Sequence, residues 1–295
     1  MGDFGELLKK ARKNKGLRQK DLAMEIGVAQ TTIANYENNV RFPNEQTLIK
    51  LSEILDVSLD YLIRDKQEGA ESSEYEFLER STFKEIQDRY LLMLFEGDRD
   101  RAIKLILQVL GQGVSIEEVY TEILEPALRH IGDLWEQGRI HVGQEHFISE
   151  ATQMIMAQMQ PYMRTNIKKD RRVIILCTGG EQHSIGAKML TDFFSKDGWN
   201  AYYLGVNMPT DGLIKSIEDL SPDLLAISVT LPLHVNTATD LISALRAHPG
   251  CSNIKIMVGG SAFNRSPELW KTVGADAYAK TAEEAVSLAN QLFPE

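Results

Sequence analysis

Two cysteines are too few for a disulfide framework, and Cys177 and Cys251 have no metal-ligand spacing. No apolar run reaches the roughly 20 residues of a membrane span. Residues 1–20 are basic and lack the unbroken apolar core of a signal peptide. These absences predict a soluble protein of a reducing cytoplasm. No residue period repeats, which excludes a solenoid. Gly-x-Gly-x-x-Gly is missing, which argues against a dinucleotide, and so is a phosphate-cradling glycine-rich loop ending in Lys-Ser/Thr. A general excess of basic charge is missing as well. The 32 Lys and Arg against 42 Asp and Glu leave a net of −10, so the chain as a whole is not built to coat nucleic acid.

What is present is ordinary globular composition, with 43% hydrophobic and 25% charged residues, enough apolar material for sizeable cores. A length of 295 residues predicts two or three domains. The charge is uneven: residues 1–66 carry a net of +1 and the remainder −11. Seven bases, Lys9, Lys10, Arg12, Lys13, Lys15, Arg18 and Lys20, crowd the first 20 residues. They read either as a solvated helix face or as a phosphate-facing patch.

Three segments follow from periodicity. In residues 1–65, apolar positions recur at helical spacing (Phe4, Leu7, Leu8, Ala11; Leu22, Ala23, Ile26; Leu48, Leu51, Ile54, Leu55), which predicts about five short helices. Gly16 and Gly27 end the first two. Residues 66–76 are polar and read as a linker. Residues 77–168 are helical throughout, broken at Gly97, at Gly111–Gly113 and at Gly138–Gly143, which predicts a four-helix bundle. From residue 169 to 295 short apolar runs (RVIILC, NAYYLGV, DLLAISV, IKIMVG, DAYA) alternate with helical segments starting near Ser184, Asp211, Val235, Ser266 and Ala282. That alternation predicts a five-stranded parallel sheet of strand order 2-1-3-4-5.

Residues 19–37 carry two short helices joined by a tight glycine turn, with Ala23, Val28 and Ile33 placed to pack them together. Gln30, Thr31, Thr32 and Asn35 near the start of the second helix, with Gln19 at the start of the first, are candidate DNA-binding residues, since amide and hydroxyl side chains can read base edges. The run QKDLAMEIGVAQTTIANYENNVRFPNEQTLIKLSEILDVSLDYLI resembles the Xre/lambda-repressor type of helix-turn-helix. The resemblance implies double-stranded operator DNA as a partner and binding as a dimer.

In an open parallel sheet, ligands sit beyond the carboxyl ends of the strands. Three polar or glycine clusters fall there: Cys177-Thr-Gly-Gly-Glu181-Gln182-His183-Ser184-Ile185-Gly186, Ser228-Val-Thr230, and Gly259-Gly260-Ser261. A carboxylate two residues before a loop histidine can hold one ring nitrogen and leave the other for a metal. This region resembles the cobalamin-binding domain of methionine synthase and its relatives, whose pattern is Asp-x-His-x-x-Gly, then Ser-x-Leu/Thr, then Gly-Gly at set spacings. Here 41 residues separate Gly186 from Ser228, and 28 separate Thr230 from Gly259, in keeping with that pattern. The resemblance implies a flavodoxin-like (Rossmann-type) fold and His183 as the lower cobalt ligand. It also implies that Ser228 and Thr230 bond the buried tail of cobalamin and that Gly259 and Gly260 leave room for it. Glu181 stands where the pattern has Asp.

The helical segment before the sheet matches the cap over the corrin in these proteins. Trp135, Glu145 and His146, read plainly, are a packed aromatic and the start of a helix. Yet Trp-x9-Glu-His resembles the light-sensing, adenosylcobalamin-dependent repressors of the CarH/LitR type, in which these residues surround the adenosyl group. That resemblance implies a transcriptional regulator, not an enzyme, which binds adenosylcobalamin and whose dimer or tetramer responds to light or cobalamin supply. Two departures stand out. Glu136 occupies the place where several such receptors have a cobalt-binding histidine, leaving His130, His141 and His146 as alternatives. The DNA module is of Xre rather than MerR type. Other readings are a corrinoid methyl carrier and a heme or bilin sensor in a cobalamin-type fold.

Overall fold

The computed structural model describes residues 4–55, 57, 81–163, 165, 167–266 and 268–294. The chain divides into two compact units, Met1–Thr82 and Phe83–Glu295. The expected fifth helix of the first segment and the linker at 66–76 lie outside the described residues.

The first unit is all-α: α1 (Phe4–Asn14), α2 (Gln19–Ile26), α3 (Gln30–Glu37) and α4 (Glu45–Leu55). Gly27 closes α2 in the left-handed region at φ 84°, a conformation glycine adopts without the usual Cβ penalty. The turn it makes sets α3 across α2, with Ala23 and Ile33 in one core with Leu8, Leu22 and Leu51, and Val28 packed on it. That core contains one ion pair. Arg12 Nε lies 2.5 Å from Glu37 Oε1, and both side chains are buried.

The second unit opens with a bundle of α5 (Phe83–Phe95), α6 (Arg99–Gly111), α7 (Glu125–Glu136) and α8 (Val142–Met159). The breaks fall where the sequence predicts: Gly97, Gly113 and Gly138 all have positive φ. A turn at Ile116–Glu118 and a π-helical stretch at Val119–Leu124 lead into α7. The bundle core is mostly apolar; its buried polar groups include Gln87 and the Tyr90 and Thr152 hydroxyls, which are 2.6 Å apart.

The sheet follows: β1 (Arg172–Cys177), β2 (Asn200–Tyr203), β3 (Leu224–Ser228), β4 (Lys255–Gly259) and β5 (Ala277–Tyr278). All pairs are parallel and the order is β2-β1-β3-β4-β5. Strands buried on both faces explain the continuous apolar runs. Helices α9 (Ile185–Lys196) and α12 (Ala282–Leu292) cover one face, and α10 (Thr210–Leu220) and α11 (Val235–Ala247) the other. The fold is therefore an all-α helix-turn-helix unit followed by a helical bundle and a flavodoxin-like five-stranded sheet. One detail differs from expectation. The helix expected near Ser266 is two four-residue turns, Ser261–Asn264 and Leu269–Thr272. Pro267 disfavours helical backbone in the residue before it, so no continuous helix runs through this stretch.

The bundle docks on the sheet through α9. Tyr120 of the π-helical stretch donates to Asp192 Oδ2 at 2.5 Å and stacks on Phe193 at 6.1 Å. Glu117 pairs with Lys196, Gln153 accepts from Lys188, and Gln160 donates to Asp192 Oδ1 at 3.2 Å. Every one of these partners sits on the helix that begins just after His183.

Candidate functional site

At the carboxyl edge of the sheet, Cys177, Ser228 and Gly259 are register partners across β1, β3 and β4. They form a row of small side chains at the ends of the three central strands, around the point where the strand order reverses. The loop after β1 rises from this row. Its Gly180 has φ 82° and donates to Asn207 Oδ1 at 2.8 Å. The Cys177 thiol donates to the His183 carbonyl, with Sγ and O 3.7 Å apart. Burial, then the nearby Glu181 charge, pushes that thiol up to about 12, so it stays protonated.

Glu181 is fully buried and takes four hydrogen bonds. Its Oε1 accepts from His183 N at 3.0 Å and from His183 Nδ1 at 2.5 Å. Its Oε2 accepts from Thr230 N and Leu231 N, both at 2.9 Å. Burial alone would raise this carboxyl, but the four donors together hold it below the ordinary carboxylate range. The arm of Glu181 reaches the β3 end as well as the imidazole. His183 keeps Nδ1 on the carboxylate and leaves Nε2 free, with 55% of its side chain exposed.

Of the other expected cofactor residues, Gln182 is exposed, Ser184 precedes α9, and Ile185 and Gly186 form its first turn. Thr230 meets Glu181 through its backbone. Gly260 has φ 95°, and a Cβ there would lie 2.4 Å from the Val229 carbonyl oxygen. A Cβ on Gly259 would lie 3.0 Å from the Ala279 carbonyl oxygen. The requirement for glycine at 260 thus comes from the protein's own backbone. Ser261 opens the turn that follows. One buried polar atom nearby, Thr178 Oγ1, has no partner.

On the bundle, Glu145 Oε2 lies 2.5 Å from His146 Nδ1, and Glu145 Oε1 accepts from Ser149 at 2.7 Å. Trp135 is half exposed near the end of α7. Among the described residues no ring pair or hydrogen bond ties it to Glu145 or His146. His141 caps α8, its Nδ1 accepting from Gln144 N at 3.3 Å.

In the first unit, α3 buries Ile33, Tyr36 and Glu37 and leaves Gln30, Thr31 and Asn35 exposed on its other side, with Thr32 half-buried. Gln19 is engaged, donating to Glu37 Oε2 at 2.8 Å. Arg12 leaves the basic patch: it is buried against Glu37 and donates to the Leu17 carbonyl at 2.6 Å. Arg18 is exposed but paired with Asp21 at 3.0 Å. Lys9, Lys10, Lys13, Lys15 and Lys20 are exposed. The sequence reading missed this network and the support of the His183 loop by Cys177 and Asn207. Arg12 and Glu37 sit at apolar spacing with Leu8 and Ile33, the one sequence signal for a buried pair.

These residues suit a corrinoid by their donor chemistry: one imidazole with its outer nitrogen free and its inner nitrogen locked, beside a row of small residues and an unpartnered hydroxyl. Among the described residues no three or more His, Cys, Asp and Glu side chains gather as a site for a free metal ion. No helix among them is long and apolar enough to cross a membrane.

Comparison with known proteins bears on the domains that carry these residues. Residues 5–68 match the family model described as helix-turn-helix domain, and residues 86–160 and 171–289 match two models described as B12 binding domain. A corrinoid protein of Desulfitobacterium hafniense (strain Y51) is 21% identical over 68% of this chain and 94% of its own. Dimethylamine corrinoid protein 3 of Methanosarcina acetivorans is 25% identical over 60% of this chain and 83% of its own. The structure of the Methanosarcina barkeri monomethylamine corrinoid protein superposes at a TM-score of 0.64, with 23% identity, over 72% of this chain and all of that one, a likeness of fold. The combination of domains supports a cobalamin-binding, DNA-binding regulator and fits a regulator or carrier rather than an enzyme. The chain is a helix-turn-helix protein that carries two B12 binding domains in succession.

Proposed function

We propose that this protein is a transcriptional regulator that senses light through adenosylcobalamin. Residues 1–65 read an operator as part of a dimer or tetramer, and residues 66–76 join them to a cap at 77–168 and a cofactor domain at 169–295. The observation that carries the reading is the Glu181-held His183, its Nε2 open at the sheet edge, in a chain that also presents an exposed α3 face.

His183 would hold the cobalt through Nε2, and Glu181 would fix its tautomer and aim it. Gln182, Ser184, Ile185 and Gly186 border the loop. Ser228, Thr230, Gly259, Gly260 and Ser261 receive the tail. Trp135, Glu145 and His146 border the upper group. Adenosylcobalamin, when bound, would supply light-sensitive cobalt–carbon chemistry. Trp135, Glu145 and His146, by holding the upper group, would couple the bundle and its contacts with α9 to the state of the cofactor. A ligand shifts assembly only by binding one state better than the other.

The relatives' printed names speak of methylamine corrinoid proteins, which supports a methyl-carrier reading of residues 86–289 as the alternative. The exposed Gln30, Thr31 and Asn35 are unaccounted for by it. Size-exclusion chromatography and DNA binding, in the dark and after green light, separate the two. Adenosylcobalamin, but not methylcobalamin, is expected to promote an oligomer and specific DNA binding in the dark, and light to reverse both. Gln30→Ala should lose discrimination between sequences by about 1–3 kcal/mol. Equal elution in both conditions with adenosylcobalamin bound removes the light sensor and leaves a cobalamin-binding regulator.

A further inference from the structure

Glu181 fixes the imidazole of His183 and its amide. The other side of the same residue is held from β2. The Tyr203 hydroxyl hydrogen-bonds the Ser184 side chain and the Cys177 sulfur. The Cys177 thiol in turn donates to the His183 carbonyl. Burial, then the thiol beside it, pushes Tyr203 up to about 12, so its hydroxyl keeps its proton. Ser184 stands at the N-cap of α9, where a serine side chain ordinarily accepts from the first turn of its helix. Ser184 makes no such bond. Its hydroxyl serves Tyr203 instead.

The bundle reaches this support through one side chain. Lys188, in the first turn of α9, donates to Gln153 of α8 and sets its ammonium 6.0 Å from the centre of the Tyr203 ring. A cation shared between an amide oxygen and an aromatic face is held by both. Tyr120, Gln160 and Glu117 of the bundle meet α9 at Asp192 and Lys196, about one and two turns further from His183. Gln153 is thus the bundle residue whose contact lies nearest the His183 loop. Movement of α8 away from α9 takes the acceptor from Lys188 and frees the ammonium from its place over the ring.

We infer that Lys188 and Tyr203 are positioning residues for His183, and that through Lys188 the seating of the bundle and the seating of His183 depend on each other. The inference rests on His183 as the cobalt ligand. It gives that site a line to the bundle through the sheet, separate from the group above the cobalt. Coupling between two sites acts equally in both directions. A bundle that leaves α9 loosens His183, and a His183 held by a metal tightens the bundle on α9.

The test uses the full chain in two measurements. The first needs no cofactor: hydrogen–deuterium exchange of the backbone amides between Thr178 and Ala187. The second is a titration with hydroxocobalamin, read by the absorption change as a protein imidazole takes the cobalt. Gln153→Ala, Lys188→Met and Tyr203→Phe should each speed exchange in the loop and weaken binding by about three- to tenfold, the worth of one hydrogen bond. Gln153→Ala with Lys188→Met should bind no more weakly than Lys188→Met alone, because both cut one line of contact. Lys188→Arg keeps a cation for the ring and a donor for Gln153, and should behave as the wild type. Gln160→Ala removes a contact between the bundle and α9 that does not reach the loop, and should leave both readings unchanged. If Gln153→Ala matches the wild type in both measurements, or if Gln160→Ala has an equal effect, the inference is overturned while the cobalamin site stands. If the wild type takes up no corrinoid, the proposed site falls, and the exchange measurement alone decides whether Lys188 and Tyr203 hold the loop.

Discussion

Each unit of the molecule buries a glutamate, and the two are satisfied in opposite ways. Glu37 sits in the helix-turn-helix core against a guanidinium, with Arg12 at 2.5 Å and Gln19 at 2.8 Å. Glu181 sits at the sheet edge with no cation against it, held by three backbone N–H groups and one imidazole. The first network closes on the protein: all three guanidinium nitrogens of Arg12 are engaged, two by Glu37 and one by the Leu17 carbonyl. The second ends in a ring nitrogen that faces open space. A buried charge that is fully answered by the protein is a structural element. One whose last partner keeps a free donor atom is a candidate site, and this difference separates scaffold from chemistry better than burial alone.

The largest effect is expected from breaking the closed network. Arg12→Ala leaves Glu37 buried without its cation, and removing one partner of such a pair costs about 3–5 kcal/mol. The urea midpoint of the first unit, followed by far-ultraviolet circular dichroism, should fall accordingly. Arg12→Met with Glu37→Leu should recover most of the loss, because apolar replacements of similar volume are often neutral. If Arg12→Ala alone is silent, Glu37 is satisfied by Gln19 and the solvent, and the contrast between the two glutamates dissolves.

Periodicity made the architecture legible. Continuous apolar runs such as RVIILC announced doubly buried strands, and the glycines at 97, 113 and 138 end helices because each adopts positive φ. The His183 loop was legible through spacing, since residues far apart in sequence had to meet at one sheet edge. What stayed hidden was pairwise. Arg12 counts as a surface base until the fold sets Glu37 against it. The second role of Glu181, bonding Thr230 N and Leu231 N, needs the register of β1 and β3. The two four-residue turns after Gly260 were missed by periodicity alone, although Pro267 between them marks the interruption in the sequence.

A middle effect is expected at Glu181. Glu181→Gln keeps the volume but presents an amide N–H₂ to donors that need an acceptor. The loss should be about 3 kcal/mol, within the range for hydrogen bonds to charged groups. The sign of its pH dependence follows from a folded-state pKa held below the unfolded one. The stabilisation is present above the ordinary carboxylate range and is lost as pH falls through the depressed value. Thermal unfolding of wild type and variant between neutral pH and acid should therefore converge toward acid. A constant gap would mean that shape, and not charge, is what Glu181 contributes.

The smallest effect tests a third carboxylate, intermediate in kind. Asp192 has neither a cation nor backbone donors, only the Tyr120 hydroxyl at 2.5 Å and the Gln160 amide at 3.2 Å. Burial raises its pKa, and the two hydrogen bonds offset this only in part. A raised acid pKa reverses the linkage seen at Glu181: the folded state binds the proton more tightly, so the charge penalises folding once pH passes the ordinary carboxylate range. Asp192→Asn removes that charge and keeps an acceptor for Tyr120. At neutral pH the variant should be equal to or more stable than the wild type, by no more than about 1 kcal/mol. In acid, where both side chains are neutral, the two should coincide. Urea titrations of the full chain at both pH values measure this directly. Because Asp192 joins the bundle to α9 rather than to the His183 loop, a bound corrinoid's spectrum should not change. A destabilised variant at neutral pH would show that the charged form is the one the interface prefers. Three carboxylates, two buried and one half-buried, would then be graded by partner geometry and not by the charge of the donors around them.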